Sequence, residues 1–281
     1  MRSEVKAHQN RDRPLAAGGS VFVFGIPLIG SHLTDDFRGI CRLLGETLES
    51  CLQQTDEDVA ICVACNEIPD ARLVPSSTRI QYILTRSLSR SEIEASPRAD
   101  VSLKRYILMN TAVDLRARYY FQFDADDLVS SKLVGFVRKS ANRNGCILHS
   151  GYLLDSRTQL LYLFPNPQFP NLAFYELCGS SNIISLDPTP YDDAKRSNIE
   201  YLDRILSPGH SVAKKSYQAE GRPALDLNFP ACIYRANHGS NLYLRLNRSD
   251  RTNFMDAVAS SCTPLAGSIL ESVKKEFGFR G

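Results

Sequence analysis

The chain has 281 residues, of which 43% are hydrophobic and 23% are charged. This length and composition are enough to bury a sizeable core, so the sequence predicts a globular protein and excludes a repeat array or a largely disordered chain. Lys and Arg number 33 against 31 Asp and Glu, which gives a formal net charge of +2. Such a balance produces no general attraction to polyanions, and we therefore expect no nucleic-acid partner.

The first eighteen residues are polar and contain several arginines. We expect residues 1–18 to be a flexible N-terminal extension and residues 19–281 to form a single domain. The apolar stretch 21–29 is too short to cross a bilayer, and it follows its charged leader in an order that does not suit a secretory signal. The sequence therefore favours a cytoplasmic protein.

Strands and helices alternate along the first half of the chain. Apolar runs typical of strands occur at 21–27, 59–65 and 79–84, an aromatic run occurs at 118–123, and helical segments are expected at 35–54 and about 101–115. Strands that are apolar throughout belong to sheets covered on both faces. We predict an α/β fold with a doubly wound, mostly parallel sheet flanked by helices.

The eight cysteines do not form a disulfide pattern. Cys62 and Cys65 are three positions apart within a predicted strand, where their side chains point to opposite faces and cannot share a metal or a bridge. The others lie in otherwise apolar segments: Cys41, Cys51, Cys146, Cys178, Cys232 and Cys262. This usage favours reduced thiols in the core of a cytoplasmic protein.

Three carboxylates, those of Asp124, Asp126 and Asp127, follow the aromatic strand within four positions. Carboxylates this close repel one another and need a cation, hydrogen-bond donors or solvent. Mg²⁺ and Mn²⁺ prefer hard oxygen ligands, and Mg²⁺ commonly binds through one or two carboxylates together with substrate phosphates. A second interpretation is that Asp126 or Asp127 caps a helix that begins near Ser130.

Other polar residues follow the predicted strands. Pro27 ends the first strand, and Asn66 and Glu67 come directly after the second. In a doubly wound sheet, ligands bind at the carboxyl ends of the strands. We therefore expect these residues to meet the acidic run 124–127 at one edge of the sheet.

In this order, these segments resemble the GT-A glycosyltransferases that use nucleotide-sugar donors, in particular the family 2-like bacterial members. The resemblance rests on the proline-ended strand 21–27, the helix end 47–55, the strand 59–65 and the Phe-Asp-Ala-Asp-Asp run 123–127, which stands where that fold has its DxD motif. It covers about the first half of the chain.

The resemblance implies a GT-A-like fold with a nucleotide-binding half at 19–130 and an acceptor half at 131–281 that contains a smaller mixed region. The implied activity is metal-dependent transfer of a hexosyl group from a nucleoside-diphosphate sugar to an acceptor hydroxyl, with Mn²⁺ or Mg²⁺ as cofactor. The implied partners are the nucleotide-sugar donor and a carbohydrate or glycolipid acceptor, as in bacterial polysaccharide or glycoconjugate synthesis.

The resemblance also assigns the nucleotide contacts, namely Pro27, Asn66, Glu67, Asp100, Lys104 and Asp124. Most relatives carry an acidic residue at the end of the second strand, where this chain has Cys65, Asn66 and Glu67. Asn66 or Glu67 could accept from a ribose hydroxyl or a base N–H, or could be an ordinary turn Asn and a solvated Glu. Lys104 and the adjacent Arg105 could approach the diphosphate, or could belong to a solvated basic turn.

By the same resemblance the metal ligands are Asp124, Asp126, Asp127 and a late histidine. His238 follows a strand-like run at 230–236, and His210 is the weaker candidate for this role. The alternative for His238 is a surface loop histidine without a ligand.

An inverting enzyme needs a carboxylate that accepts the proton of the acceptor hydroxyl. We favour Asp193, because the region after the small-residue loop 178–181 is where inverting relatives place this base. The other candidates are Asp192, Asp187, Glu176, Glu200 and Asp226. A retaining enzyme would not need such a base.

Two other classes of protein remain compatible with the sequence. One is a non-catalytic, GT-A-shaped nucleotide-binding protein. The other is a haloacid dehalogenase-type phosphatase, although enzymes of that type carry their acidic motif on an early strand, whereas the acidic run of this chain lies at 124–127.

The segment 265–277 has apolar residues at helical spacing. This helix either packs on the domain or contacts the inner face of the membrane peripherally.

Overall fold

The computed structural model describes residues 21–96, 98–140, 142–186, 191–239 and 248–279, without the side chains of Arg90, 191–195 and 248–253. The strands are β1 (Phe22–Pro27), β2 (Val59–Cys65), β3 (Ile80–Leu84), β4 (Tyr119–Gln122), β5 (Leu128–Val129), β6 (Cys146–Leu148), β7 (Gly151–Asp155), β8 (Leu160–Phe164), β9 (Asn182–Ser185), β10 (Leu225–Leu227) and β11 (Cys232–Ala236). The helices are α1 (Phe37–Leu52), α2 (Arg90–Ala95), α3 (Ala99–Asp114), α4 (Leu133–Ser140), α5 (Phe174–Leu177), α6 (Tyr191–Leu206), α7 (Ala213–Ala219), α8 (Arg248–Ser261) and α9 (Gly267–Phe277).

Seven of the described strands form the larger sheet, in the order β10-β6-β9-β4-β1-β2-β3. Six of these strands are parallel to one another, and β9 runs antiparallel to its neighbours β4 and β6. The carboxyl ends of β1 to β4 therefore meet at one border of the sheet, which we call the carboxyl edge. The four strands predicted in the first half of the chain are confirmed, with ends that differ by at most one residue.

Apolar side chains cover both faces of this sheet. On one face, Phe22 and Phe24 of β1 pack with Leu44 of α1 and Val137 of α4. On the other face, Val23 packs with residues of α3 and α6. Because each strand is buried on both sides, its residues must be apolar throughout, which is why the strands appear as unbroken apolar runs. The predicted fold class, a doubly wound α/β sheet flanked by helices, is confirmed.

A smaller mixed sheet follows the acidic run, in the order β5-β11-β7-β8. β5 begins at Leu128, directly after Asp127, and pairs antiparallel with β11. The alternative in which Asp126 or Asp127 caps a helix near Ser130 is not what the chain forms, because β5 comes first, α4 begins at Leu133, and Asp127 accepts from the backbone N–H of Arg235. The loop 123–127 thus connects the large sheet to the small one.

The cysteine prediction is confirmed for all eight residues, which are buried and unpaired. Cys62 belongs to the apolar cluster beneath α3, whereas Cys65 belongs to the cluster beneath α1. Burial raises the pKa of the Cys65 thiol to about 12, so this thiol stays protonated at neutral pH. Both residues therefore act as core packing groups.

The C-terminal helix α9 packs on the small sheet. Val273 and Phe277 are buried against Leu128, Tyr152 and Ile233, and Glu276 accepts a hydrogen bond from Lys132 at 2.6 Å. The apolar spacing seen in the sequence thus reflects packing on the domain. Within the described part of the chain, no helix is both long enough and apolar enough to cross a membrane.

A glycine in β1 allows a tyrosine of β4 to pack against the strand. A Cβ added at Gly25 would lie 2.5 Å from Cε2 of Tyr120, which is fully buried. We expect Gly25→Ala to lower the free energy of unfolding by about 1–3 kcal/mol, because the ring or the strands must shift. Urea denaturation measures the change.

Gly135→Ala is the matched control. This glycine lies within α4, and the nearest atom to an added Cβ is Thr55 Oγ1 at 3.5 Å. Alanine is favoured over glycine within helices by roughly 0.5–1 kcal/mol, so the control should be neutral or stabilised. A Gly25→Ala variant as stable as the wild-type protein would show that Tyr120 does not require the glycine.

Candidate functional site

Asp124 lies in the loop after β4, and the loop 178–181 holds it in place. Its backbone N–H donates to Ser180 Oγ at 2.8 Å, and a Cβ added at Gly179 would lie 2.6 Å from Asp124 Oδ2. Arg105 of α3 approaches the same carboxylate, with Nη2 at 3.3 Å from Oδ1. About a third of each side chain of this pair is exposed, so the pair is open to a ligand at the carboxyl edge.

Asp126 meets His238, which is 112 positions away in the chain. His238 Nε2 lies 2.7 Å from Asp126 Oδ2. The pairing of β11 with β5 brings the two together, because His238 follows β11 just as Asp126 precedes β5. The turn before the histidine is fixed by Asn237, which has a φ of 62° and donates to Asp155 Oδ1 at 3.0 Å.

Asp127 points into a separate, buried cluster. Its Oδ1 accepts the backbone N–H of Arg235 at 3.1 Å, and its Oδ2 accepts from Cys178 Sγ at 3.4 Å. One ligand atom each of Asp127, Cys178 and Cys232 lies within 4.8 Å of the others, and all three residues are buried. Burial and the nearby carboxylates raise the pKa of Asp127 well above its usual range, and burial raises that of Cys178 as well. Asp127 thus joins the two sheets, apart from the open pair Asp124 and Asp126.

The guanidinium of Arg105 is the cation at Asp124, and the imidazole of His238 is the partner of Asp126. Burial raises the pKa of Asp124, Arg105 opposes this effect, and the neighbouring Asp126 raises the pKa again. His238 Nδ1 is buried and has no hydrogen-bond partner among the described residues. Asp126 and His238 offer Mn²⁺ or Mg²⁺ a carboxylate oxygen and an imidazole nitrogen that lie together, and Asp124 is a second carboxylate at the same edge. Among the described residues, the three whose ligand atoms lie within 4.8 Å of one another are Asp127, Cys178 and Cys232, so Asp124 does not form one preassembled group with Asp126 and His238.

A buried ion pair underlies the nucleotide side of the edge. Lys104 Nζ lies 2.6 Å from Asp100 Oδ2 and 2.6 Å from Asn66 Oδ1, and the Lys104 side chain is 1% exposed. Asn66 Nδ2 donates in turn to the carbonyl of Arg86 at 2.9 Å. Burial lowers the pKa of Lys104, and Asp100 opposes the shift. This cluster braces α3 against the ends of β2 and β3, and it does not present Lys104 or Asp100 to a ligand.

The loop after β1 is tied to the end of β2. Glu67 accepts from the backbone N–H of Ser31 at 2.6 Å and from its hydroxyl at 2.8 Å. Pro27 is buried at the end of β1, and Gly30 lies so close to Asn66 that an added Cβ would be 2.5 Å from Asn66 Oδ1. The ends of β1, β2 and β4 thus bring these residues to the same edge as the acidic run, but Asn66 and Glu67 contact Lys104, Arg86 and Ser31 rather than the acidic run.

The candidate bases other than Asp193 have distinct surroundings. Glu176 accepts from the backbone N–H of Ala173 at 2.8 Å, and Glu200 pairs with Arg196 on the exposed face of α6. Asp226 pairs with Lys214 at 2.6 Å and is about a third exposed. Asp187, another candidate base, lies outside the described residues.

His210, the weaker candidate for the metal-binding histidine, lies near enough to Asp124 to lower the pKa of the Asp124 carboxyl group.

Asp193 lies in the first turn of α6, but its side chain and that of Asp192 lie outside what the structure describes. β9 runs antiparallel to β4 and ends where Leu186 bonds to Arg118, at the border opposite the carboxyl edge. α6 then leads back towards His210, and at 1.5 Å per residue Asp193 lies roughly 20 Å from its end at Leu206. This placement removes the positional argument for Asp193.

The sequence did not reveal the residues that hold the carboxylates. Ser180 accepts the Asp124 N–H and also hydrogen-bonds to Asp127, and Asn237 shapes the turn before His238. The small residues 179–181 were the signal for a close backbone approach. An Asn-His-Gly sequence after a strand was the signal for a left-handed turn.

Comparisons with known proteins give little further information. No family model matches the chain, and no curated protein sequence matches it. Among solved structures, the crystal structure of TarS from S. aureus is similar over 77% of this chain, with 9% sequence identity and a TM-score of 0.39. The chain spans 37% of the length of that protein. A likeness at this level carries no argument about activity.

Lys104 provides a test of the buried brace. Lys104→Met leaves the Asp100 carboxylate buried without its cation, so we expect a loss of about 3–5 kcal/mol in the free energy of unfolding. Adding Asp100→Leu should recover much of the loss, since an apolar pair of similar volume is tolerated. Urea denaturation of the single and double variants gives both values.

Lys132→Met is the control. Lys132 also pairs with a carboxylate, that of Glu276, but the Lys132 side chain is 66% exposed, so the loss should stay below about 1 kcal/mol. Equal losses for Lys104→Met and Lys132→Met would contradict the proposed brace.

Proposed function

We propose that the protein is a metal-dependent glycosyltransferase that moves a sugar from a nucleoside-diphosphate sugar to an acceptor hydroxyl. The observation that carries the proposal is the contact between Asp126 and His238, 2.7 Å apart, at the carboxyl edge of a doubly wound sheet, with Asp124 and Arg105 paired at the same edge. This edge is where such sheets bind nucleotides. The acceptor would be a carbohydrate or a glycolipid, as in polysaccharide or glycoconjugate synthesis.

Asp126 and His238 would hold the ion together, with Asp124 beside them. When bound, Mn²⁺ or Mg²⁺ neutralises the donor diphosphate and stabilises the departing nucleoside diphosphate. Arg105 contacts Asp124 at 3.3 Å with a third of its side chain exposed, so its guanidinium can also bind a phosphate oxygen. The fixed backbone around Asp124 limits the reorganisation that binding requires.

The nucleoside would lie between the loop after β1 and the end of β2. Asn66, Lys104 and Asp100 position this wall from below through their mutual hydrogen bonds. Ser31 and Glu67 fix the loop from the side. In this proposal these residues hold the shape of the pocket, and the base and ribose bind mainly to backbone groups at its surface.

A non-catalytic nucleotide-binding protein is the second candidate. Both Glu67 oxygens accept from Ser31, and Asn66 Oδ1 accepts from Lys104, so the side chains expected at the nucleoside already have partners within the protein. Hydrolysis of a nucleotide sugar separates the two functions. Slow, Mn²⁺-dependent release of sugar from UDP-glucose or GDP-mannose supports the enzyme, and binding without turnover supports the second candidate.

Asp126 provides the central test. We expect Asp126→Ala to abolish the Mn²⁺-dependent part of UDP or GDP binding while the fold stays intact, because the change also relieves repulsion among the three carboxylates. Isothermal titration with and without Mn²⁺ measures the affinity. Asp256→Ala, at a carboxylate that is 64% exposed on α8, is the control and should bind as the wild-type protein does.

His238→Ala should weaken metal-assisted turnover more than nucleotide binding, because Asp124 and Asp126 still provide carboxylates. Unchanged Mn²⁺-dependent affinity in Asp126→Ala would disprove the metal site. Wild-type turnover in His238→Ala would instead remove only the histidine from it.

Asp193 can be tested as the general base directly. Loss of a general base lowers a rate by roughly a hundredfold to ten-thousandfold, and Asn keeps the size of Asp but cannot accept the proton. Because Asp193 lies in the first turn of α6, roughly 20 Å from the end of that helix near His210, we expect Asp193→Asn to retain transfer within about threefold of wild type. A hundredfold loss with normal donor binding would restore the assignment made from the sequence.

A further inference from the structure

A carboxylate and two thiols meet where three segments of the chain come together. Asp127 ends the loop after β4, Cys178 directly follows α5, and Cys232 begins β11. One ligand atom of each residue lies within 4.8 Å of the others, and the two thiols are in hydrogen-bond contact with each other. Among the described residues, no other three side chains of His, Cys, Asp or Glu meet this closely.

The spacing of these ligand atoms suits a tetrahedral metal ion. Zinc lies about 2.3 Å from a thiolate sulfur and about 2.0–2.2 Å from a carboxylate oxygen, so its neighbouring ligands are roughly 3.4–3.8 Å apart. Cys178 Sγ lies 3.4 Å from Asp127 Oδ2. An ion would occupy the space that the thiol hydrogens now share between the three ligand atoms, and it needs no separate cavity.

The Asp127 carboxylate is oriented by groups outside this cluster. Its Oδ1 accepts the backbone N–H of Arg235 at 3.1 Å, and Ser180 also hydrogen-bonds to the carboxylate. Carboxylates that bind metals are commonly held in this way by hydrogen bonds from neighbouring groups. These bonds leave Oδ2 directed at Cys178, which is an observation independent of the spacing of the ligand atoms.

We propose that Asp127, Cys178 and Cys232 bind a zinc ion. Two sulfurs and one oxygen favour zinc over Mn²⁺ and Mg²⁺, which prefer oxygen ligands. Binding forms two Zn–S bonds and one Zn–O bond, and it releases to solvent the two thiol protons and any proton on Asp127. A water molecule completes the four ligands. Because all three residues are fully covered, the ion enters while the chain folds.

The zinc ion would join the segments that carry the open site. Gly179 and Ser180, which contact Asp124, directly follow Cys178, and His238 stands shortly after β11, the strand that Cys232 begins. The ion therefore fixes the loop after β4, the loop 178–181 and β11 relative to one another. Its role is structural, so the inference does not depend on the proposed glycosyl transfer.

The zinc content of the full-length wild-type protein provides the first test. The protein is expressed with zinc in the medium, purified with a reducing agent and without a chelator, and passed over a gel-filtration column. Elemental mass spectrometry should then find one zinc ion per chain. The protein is next unfolded in urea with a chelator and refolded with Co²⁺ in place of zinc. Absorption from thiolate-to-cobalt charge transfer should appear, because two of the ligands are sulfurs.

Cysteine variants locate the ion. We expect Cys178→Ala and Cys232→Ala each to lower the affinity for Co²⁺ by at least roughly a hundredfold, since loss of an outer partner alone costs about 10–100-fold. Cys62→Ala is the matched control, because Cys62 is equally buried but lies on the other face of the sheet, beneath α3. It should retain one zinc ion. Asp126→Ala should also retain it, because Asp126 belongs to the open edge.

Two results would overturn the zinc site. The first is a folded wild-type protein that contains no zinc and gives no thiolate-to-cobalt absorption, which would make the three residues an ordinary hydrogen-bonded part of the core. The second is zinc that is lost in Asp126→Ala but kept in Cys178→Ala, which would place the ion at the open edge. If both cysteine variants fail to fold, the cobalt spectrum of the wild-type protein decides. The proposed function keeps its own test, Mn²⁺-dependent nucleotide binding, whichever result is found.

Discussion

The hydrogen bond between the buried carboxylate of Asp127 and the backbone N–H of Arg235 connects the two sheets. Asp127 leaves the large sheet through the loop after β4, and Arg235 belongs to β11 of the small sheet. The bond fixes the end of β11, and the next turn then places His238 beside Asp126. The third carboxylate of the acidic run therefore supports the other two: it is buried so that its neighbours can stay at the surface in a defined position.

Two neighbouring cations on α3 show how the fold separates structural from ligand-binding charges. Lys104 points into the protein, where it bonds to Asp100 and Asn66, and Arg105 points to Asp124 at the open edge. Consecutive residues of a helix face directions about 100° apart, so a single basic pair can serve both purposes. The lysine holds its wall through a buried pair, which lowers its pKa by desolvation. The arginine keeps enough exposure to contact a ligand.

The sequence was sufficient for the parts of the fold that depend on local pattern. β1 to β4 could be predicted because strands buried on both faces are apolar throughout, and the acidic run could be located because it interrupts such a strand. No local pattern links His238 with Asp126, which are so far apart in the chain; only the resemblance named both, as expected metal ligands. Asp193 was placed by its distance along the chain from the small-residue loop. The antiparallel direction of β9 makes that distance misleading, because the strand carries the chain to the opposite border of the sheet.

The close contact of Gly179 with Asp124 has a consequence for how this protein can change over evolution. The backbone at position 179 and the carboxylate at position 124 occupy adjoining space, with only 2.6 Å between an added Cβ and Oδ2. A larger residue at 179 can be accepted only if the side chain at 124 becomes shorter or turns away. The two positions should therefore vary together, and a lineage that replaced the glycine first would lose the placement of the carboxylate before it could gain a substitute. That order of events makes the glycine difficult to replace, although it has no side chain that could take part in chemistry.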